Sequence, residues 1–235
     1  MIVLSFNILT VGTVDSTNNY LKKLISEGAG HMTAVIAEAQ TGGRGRQGKS
    51  FASPAGGIYI SFYYNFPDMR EEELPSVTPT VAVCVAEAIE KTANISVNIK
   101  WVNDIYYNGK KICGILTERS GTEKGFIVGI GINLSETGIP DELKEKAGYI
   151  NADKATLTGC LTEKMDFTPA AFKDDRFLTA YKAKSYLTGK KIGFTRGNTE
   201  FTGTALDVDE HYRLRVMTDG GIMTLDCGEV SVIAL

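Results

Sequence analysis

Apolar positions recur with a period of two or of about 3.6 along most of the chain, and the switches between these periods mark the elements. Val3 to Leu9 reads as an opening strand. Asp15-Ser16-Thr17-Asn18 supplies helix N-cap residues, and Tyr20, Leu21, Leu24 and Ile25 follow at helical spacing until Gly28 stops the run. Thr33 to Glu38 and Ile58 to Tyr64 read as strands on either side of a glycine-rich stretch, 41–57. Thr78-Pro79 predicts a helix start and Val81 to Thr92 its body. Val97 to Trp101 reads as a strand. Ile105–Tyr107 and Lys111–Glu118 flank Asn108-Gly109, the strongest short hairpin signal. Phe126 to Ile132 is a further strand, and residues 140–183 turn helical, with Pro140 and Pro169 near helix starts. From Leu187 the period shortens again. Lys191–Thr195, Glu200–Val208, Tyr212–Met217, Gly221–Asp226 and Glu229–Ala234 predict a small all-β module. The pattern therefore predicts an α+β domain over 1–186 followed by a β-barrel over 187–235.

Composition narrows the function classes. Hydrophobic residues make 43% and charged residues 23% of the 235, an ordinary globular balance that excludes a disordered or collagen-like chain. The net charge of −3 gives no bulk attraction to nucleic acid or an anionic membrane. Met1-Ile2-Val3-Leu4-Ser5-Phe6 has no basic stretch ahead of its apolar run, so it does not read as a secretory signal. Apolar runs stop well short of the roughly 20 residues of a membrane helix. Cys84, Cys113, Cys160 and Cys227 form no C-x-x-C pair, which argues against a zinc ribbon or a dithiol and fits a reducing cytoplasm. His31 and His211 are the only histidines, a weak basis for histidine catalysis.

The densest chemistry lies in Gln40-Thr41-Gly42-Gly43-Arg44-Gly45-Arg46-Gln47-Gly48-Lys49-Ser50. Glycines let a backbone approach a ligand closely, and guanidinium forks suit phosphate or carboxylate. Gly43 to Ser50 also matches the P-loop pattern, which requires a helix immediately after it. Phe51-Ala52-Ser53-Pro54-Ala55-Gly56-Gly57 is a poor helix former, so a P-loop is not expected. Taken alone, the stretch also fits a mobile solvated loop.

A second group follows at Lys100-Trp101-Val102-Asn103-Asp104. Alternation puts Lys100 on the face opposite Ile99, where an ammonium can offset carboxylate or phosphate charge. Trp101 reads as core, and Asn103 and Asp104 alone read as turn residues. Gly114, Gly129 and Gly131 interrupt strands and leave room either for a ligand or for tight packing. Asn133 ends the last of these strands.

In order along the chain, Asp15-Ser16-Thr17-Asn18, Ala37-Glu38-Ala39-Gln40, Gly43-Arg44-Gly45-Arg46-Gln47-Gly48, Lys100-Trp101-Val102-Asn103-Asp104, Lys111-Ile112-Cys113-Gly114-Ile115-Leu116 and Gly129-Ile130-Gly131-Ile132-Asn133 resemble the biotin protein ligase family. The tail, with Gly228-Glu229-Val230-Ser231, resembles the family's SH3-like C-terminal domain. The resemblance implies a mixed β-sheet catalytic domain of the class II synthetase-like, biotin/lipoate ligase type. It implies a cytoplasmic, ATP-dependent ligase that forms biotinyl-5′-AMP and passes biotin to a lysine of a biotin carboxyl carrier domain. Magnesium would accompany ATP.

Carried over residue by residue, the resemblance puts biotin against Ser16, Thr17, Asn18, Gln40, Gly43, Arg44, Gly45, Arg46, Lys100 and Gly114. It puts ATP against Arg46, Lys49, Phe51, Lys100, Asn103 and Asn133, with Asn133 also near the metal. Lys100 and Arg46 would be the catalytic cations. The glycine-arginine loop would be mobile when empty and ordered over the adenylate. Val102 stands where bacterial members usually have proline, and Gln47 where a third basic residue is common. Only fourteen residues precede Asp15, too few for the winged-helix domain of bifunctional members, so the resemblance implies a monofunctional type that does not bind DNA. Family members use an exposed sheet for carrier docking and for self-association, so a homodimer is among the assemblies implied. Lipoate ligases and lipoyl or octanoyl transferases share the fold and form the nearest alternative. An RNA-binding reading fails on charge, because the C-terminal module carries Glu200, Asp207, Asp209, Glu210, Asp219, Asp226 and Glu229.

Overall fold

The computed structural model describes residues 6–122, 124–197, 199–226, 228 and 230–233. The expected strand start at Val3, Cys227, Glu229 and the expected strand end at Ala234 lie outside the described residues. A seven-stranded mixed sheet forms from β1 (Asn7–Val14), β2 (Thr33–Gln40), β3 (Ile58–Asn65), β4 (Asn98–Lys100), β5 (Asp104–Tyr107), β6 (Lys110–Arg119) and β7 (Gly125–Ile132). Their order is β1-β2-β3-β7-β6-β5-β4. β1 runs parallel to β2, and every other pairing is antiparallel.

The sheet has two unlike faces. On one, Ile58, Ile60, Phe62, Phe126, Val128, Ile130, Ile99 and Ile105 are buried with helices α2 (Leu74–Ala93), α3 (Lys154–Lys164) and α4 (Asp175–Ala183) in a single large core. On the other, only α1 (Thr17–Ser26) packs down, through Leu21 against Val35, Tyr63 and Ile127. One short helix cannot cover seven strands, so the rest of that face stays open. Alternation places Ser61, Gly129, Gly131, Gly114, Leu116, Asp104 and Lys100 there, because cross-strand partners share a face and Gly114 pairs with both Gly131 and Asp104, which itself pairs with Lys100.

Several boundaries differ from the sequence expectation. β1 extends to Val14 instead of ending at Leu9. It is an edge strand whose side chains are exposed or half-buried, so its outer half lacks the apolar alternation that marks a strand. α2 begins at Leu74, not at Thr78-Pro79. Pro75 occupies the first turn, where its missing N–H costs nothing, and Pro79 sits buried inside the helix. Asn108 and Gly109 both take positive φ, 48° and 76°, and form the expected hairpin turn.

The C-terminal strands β8 (Lys191–Arg196), β9 (Thr199–Val208), β10 (Leu214–Thr218), β11 (Gly221–Leu225) and β12 (Val230–Val232) form an antiparallel sheet in the order β11-β10-β9-β8-β12. β11 and β12 end this hydrogen-bonded order among the described residues, and the sheet is the small all-β module expected in the C-terminal stretch. It shares the main core through Leu187, Ile192, Phe194 and Leu214. The Trp101 indole donates to the Tyr212 carbonyl at 2.8 Å across the junction. No helix among the described residues is long and apolar enough to cross a membrane.

Candidate active site

The open face of the sheet floors a cavity of 460 Å³. Of the residues picked out in the sequence, Ser16, Thr17, Asn18, Gln40, Arg44, Gly45, Arg46, Lys49, Phe51, Lys100, Asn103 and Gly114 line it. Gly43 and Asn133 do not. Gly43 lies just behind the wall, where a Cβ would collide with the Phe51 carbonyl and sit 2.5 Å from Ser53 Oγ, so glycine is required by a close backbone approach. Asn133, expected near the nucleotide and its metal, instead braces the chain: its side-chain amide donates to the Gly148 carbonyl at 2.9 Å.

At the α1 end the side chains of Ser16, Thr17, Asn18 and Gln40 give the lining a polar, uncharged stretch. Thr17 N donates to Gln40 Oε1 at 2.8 Å, and Gln40 Nε2 donates to Ser53 Oγ at 2.8 Å, which fixes which way the amide points. The Ser61 hydroxyl lies 2.7 Å from Thr17 Oγ1 and 2.6 Å from Asn18 Oδ1. Ser16 is the helix N-cap residue by backbone geometry, yet its side chain makes no cap bond. Its hydroxyl therefore remains available to a ligand. Such a set of fixed donors and acceptors suits a neutral heterocycle.

At the β4 end the lining is cationic. Lys100 Nζ lies 5.4 Å from the centre of the Tyr106 ring and 3.5 Å from its hydroxyl. Burial, followed by the charge of Asp104, pushes the Tyr106 phenol up to about 12, so it stays protonated beside the lysine. Lys111 Nζ pairs with Asp104 Oδ1 at 2.7 Å and sits 5.7 Å from the Phe51 ring centre. From Gly129 on β7 to Lys100 on β4, both in the lining, is three strand spacings, about 14 Å. The cavity is therefore long as well as two-ended.

The glycine-arginine stretch roofs the cavity as a tight hairpin. Arg44 bridges to Ser50, Gly45 N donates to the Lys49 carbonyl at 2.6 Å, and Gln47 takes φ 54° at the tip. No helix follows Ser50, so the P-loop pattern is not realised. Arg44 Nη2 contacts both Glu118 oxygens, at 2.9 and 3.2 Å. Arg46 Nη1 donates to Asn103 Oδ1 at 3.3 Å, while Asn103 Nδ2 is held by the Ile115 carbonyl at 2.8 Å.

The strand glycines admit protein side chains rather than leaving a bare floor. A Cβ at Gly129 would collide with Asn18, and one at Gly131 would come within 2.5 Å of the Phe51 ring. Ser61, Tyr106 and Glu118 were not picked out in the sequence, and Lys111 was quoted in a motif without a role in the site, because each acquires its role from a partner distant in the chain or across strands. His31 packs against Tyr64 and Phe66, away from the cavity, and His211 does not line it. Burial pushes the Cys84 thiol up to about 12 and the Cys113 thiol higher still, so neither serves as a thiolate nucleophile.

The sequence profile of the Biotin/lipoate A/B protein ligase family matches residues 11–135. The chain is 31% identical to the bifunctional ligase/repressor BirA of Bacillus spizizenii, over 98% of this chain and 75% of that protein. It is 27% identical to the biotin--[acetyl-CoA-carboxylase] ligase of Mycobacterium tuberculosis, over 94% and 86%. Among solved structures, the biotin protein ligase of Aquifex aeolicus in complex with biotin and ATP superposes with a TM-score of 0.80 at 29% identity, covering 97% of this chain and 98% of that one.

Proposed function

This chain belongs to the biotin/lipoate A/B protein ligase family, and from that premise we propose how its cavity performs the ligation. The protein is an ATP-dependent biotin protein ligase. One observation carries the residue assignment: a single cavity joins the neutral Ser16-Thr17-Gln40 end to the cationic Lys100-Arg46 end on one sheet face. Biotin has the same two-ended character, with an uncharged ring system and a carboxylate.

In this assignment Ser16, Thr17, Asn18 and Gln40 hold the biotin rings, and Arg44, Gly45 and Gly114 line the path of the tail. The carboxylate then lies by Lys100, and the nucleotide by Arg46, Lys49, Phe51 and Asn103. The biotin carboxylate attacks the α-phosphorus of ATP, a new O–P bond forms, and pyrophosphate leaves with the electron pair of the broken bond. Two anions must meet in this step. Lys100 and Arg46 offset their repulsion and the charge that builds on the phosphoryl oxygens. The product, biotinyl-5′-AMP, is a mixed anhydride with a good leaving group. The carrier lysine, ordinarily near pKa 10.4, attacks its acyl carbon as the small neutral fraction, and AMP departs. No enzyme nucleophile is required.

The described residues around the cavity do not fit a resident magnesium ion. No three of His, Cys, Asp and Glu gather among them, and Asn133 is turned to Gly148. In this reading magnesium enters as Mg-ATP, a property of the co-substrate. We place the division between catalytic and C-terminal domains at 186/187, supported by Tyr186 N, which still bonds the Ile99 carbonyl of β4 at 2.8 Å. The open edge of β1 supports strand-to-strand docking of the carrier domain or of a second copy. The free buried thiols of Cys84, Cys113 and Cys160 support a cytoplasmic setting.

The test is intact-mass spectrometry of a purified carboxylase carrier domain incubated with the protein, biotin and Mg-ATP. One biotin should be added per carrier, on one lysine. Lipoate in place of biotin should give no adduct, and an adduct with lipoate alone would overturn the substrate assignment.

A further inference from the structure

One carboxylate beside the cavity has no part in the chemistry above. Glu118 lies near the end of β6, where it is paired with Ile127 of β7. It does not line the cavity. Its two oxygens receive donors from two other elements. From α1, Lys22 Nζ reaches Oε1 at 2.9 Å and Asn18 Nδ2 reaches Oε2 at 2.8 Å. From the roof hairpin, Arg44 Nη2 reaches Oε1 at 3.2 Å and Oε2 at 2.9 Å. A carboxylate offers about four acceptor sites, so this one is saturated.

We propose that Glu118 is a positioning residue that latches the roof: by holding Arg44 it keeps the hairpin closed over biotinyl-adenylate until the carrier lysine arrives. The proposal rests on the ligase reading of the cavity. Three features give the contact the character of a latch. First, the hairpin is tied to the sheet through Arg44 to Glu118 on β6 and through Arg46 to Asn103 after β4. Second, the Arg44 and Glu118 side chains are 38% and 21% exposed. The pair is thus stronger than a fully solvated ion pair but still able to open. Third, Lys22 and Asn18 remain on the carboxylate when Arg44 departs, so opening does not strand a bare anion. Burial pushes the Glu118 carboxyl up, but hydrogen bonds from Asn18 and Lys22 and the charges of Lys22 and Arg44 outweigh it, and the group stays anionic.

The experiment measures the lifetime of enzyme-bound biotinyl-adenylate, formed in one turnover from biotin and labelled Mg-ATP without carrier. Glu118→Gln should release or hydrolyse the adenylate at least about tenfold faster, the worth of a lost charge-assisted hydrogen bond. The amplitude of the first pyrophosphate burst should stay as in the wild type. Lys22→Met removes a donor from the same carboxylate without touching the hairpin, and should leave the lifetime unchanged. In an Arg44→Gln background, Glu118→Gln should add no further loss. The latch is overturned if Lys22→Met shortens the lifetime as much, or if Glu118→Gln costs the same factor with and without Arg44. Should Glu118→Gln fail to fold, Glu118→Asp, which keeps the charge but falls short of Arg44, gives the same readings. A wild type that releases no pyrophosphate with biotin and ATP overturns the ligase reading and the latch with it. A wild type that does, with either adverse variant result, overturns the latch alone.

Discussion

The two faces of β7 differ in almost every respect although their residues are interleaved. Phe126, Val128, Ile130 and Ile132 point into the helix-covered core and are at most 2% exposed. Ile127, Gly129 and Gly131 point the other way; Ile127 packs on Leu21 of α1, and Gly129 lies against Asn18 of the same helix. The covered face is filled by side chains of the strand itself. On the open face the strand withdraws its side chains, and Asn18 and Phe51 arrive from elsewhere to occupy the space. One face therefore specifies the fold through bulk, and the other specifies the site through the absence of bulk. A mutation on the first should be read in stability and a mutation on the second in ligand binding, even one residue apart.

The largest expected break on the open face is Lys100→Ala. It should lower single-turnover pyrophosphate release about 10²–10³-fold with the melting temperature nearly unchanged. A rate near that of the wild type would remove Lys100 from the chemistry. On the covered face, Ile130→Ala should cost about 2–5 kcal/mol in denaturant unfolding, with biotin affinity retained in whatever protein stays folded. Its neighbour Gly131→Ala inverts this. The new methyl would press on the Phe51 ring, so KM for ATP should rise while overpacking costs about 1–3 kcal/mol at most. Equal loss of stability at the two positions, with no ATP effect at Gly131, would erase the contrast between the faces.

Two smaller effects sharpen it. The Glu118 carboxyl is held below its ordinary value in the folded state. Such a group contributes stability that is present above its unfolded pKa and is lost as pH falls through its folded pKa. Wild-type stability should therefore drop more than that of Glu118→Gln on acidification below the ordinary carboxylate range, as read in paired urea melts. The smallest effect belongs to Asn133→Ala. It removes one hydrogen bond to Gly148 and should cost about 1 kcal/mol while leaving the magnesium dependence of adenylation unchanged. A shifted magnesium optimum would return Asn133 to the metal.

The same contrast explains what the sequence made legible. β2 follows from its alternation, β3 from its aromatic and β-branched content, and the side on which Lys100 lies from its alternation with Ile99. The Asn108-Gly109 turn follows from its φ requirement. β1 did not announce its outer half, because an exposed edge needs no apolar alternation. At the head of α2 two prolines compete as start signals, and tertiary burial of Pro79 let the helix begin earlier. Within the site, Thr17, Gln40 and the arginine hairpin were readable because their chemistry is concentrated in short stretches. Ser61 and Glu118 were not, since a serine in a strand and a glutamate near a strand end look like ordinary surface residues. Their partners lie far off: 43 and 44 positions for Ser61, 74 to 100 for Glu118.

Trp101 is the only tryptophan in the chain. It follows Lys100 directly, borders the cavity, is 6% exposed and gives its indole proton to the Tyr212 carbonyl. The protein thus carries a built-in fluorophore at the seam between its two sheets. Emission colour and quenching at this one ring register adenylate arriving on one side and loosening of the seam on the other, with no label attached.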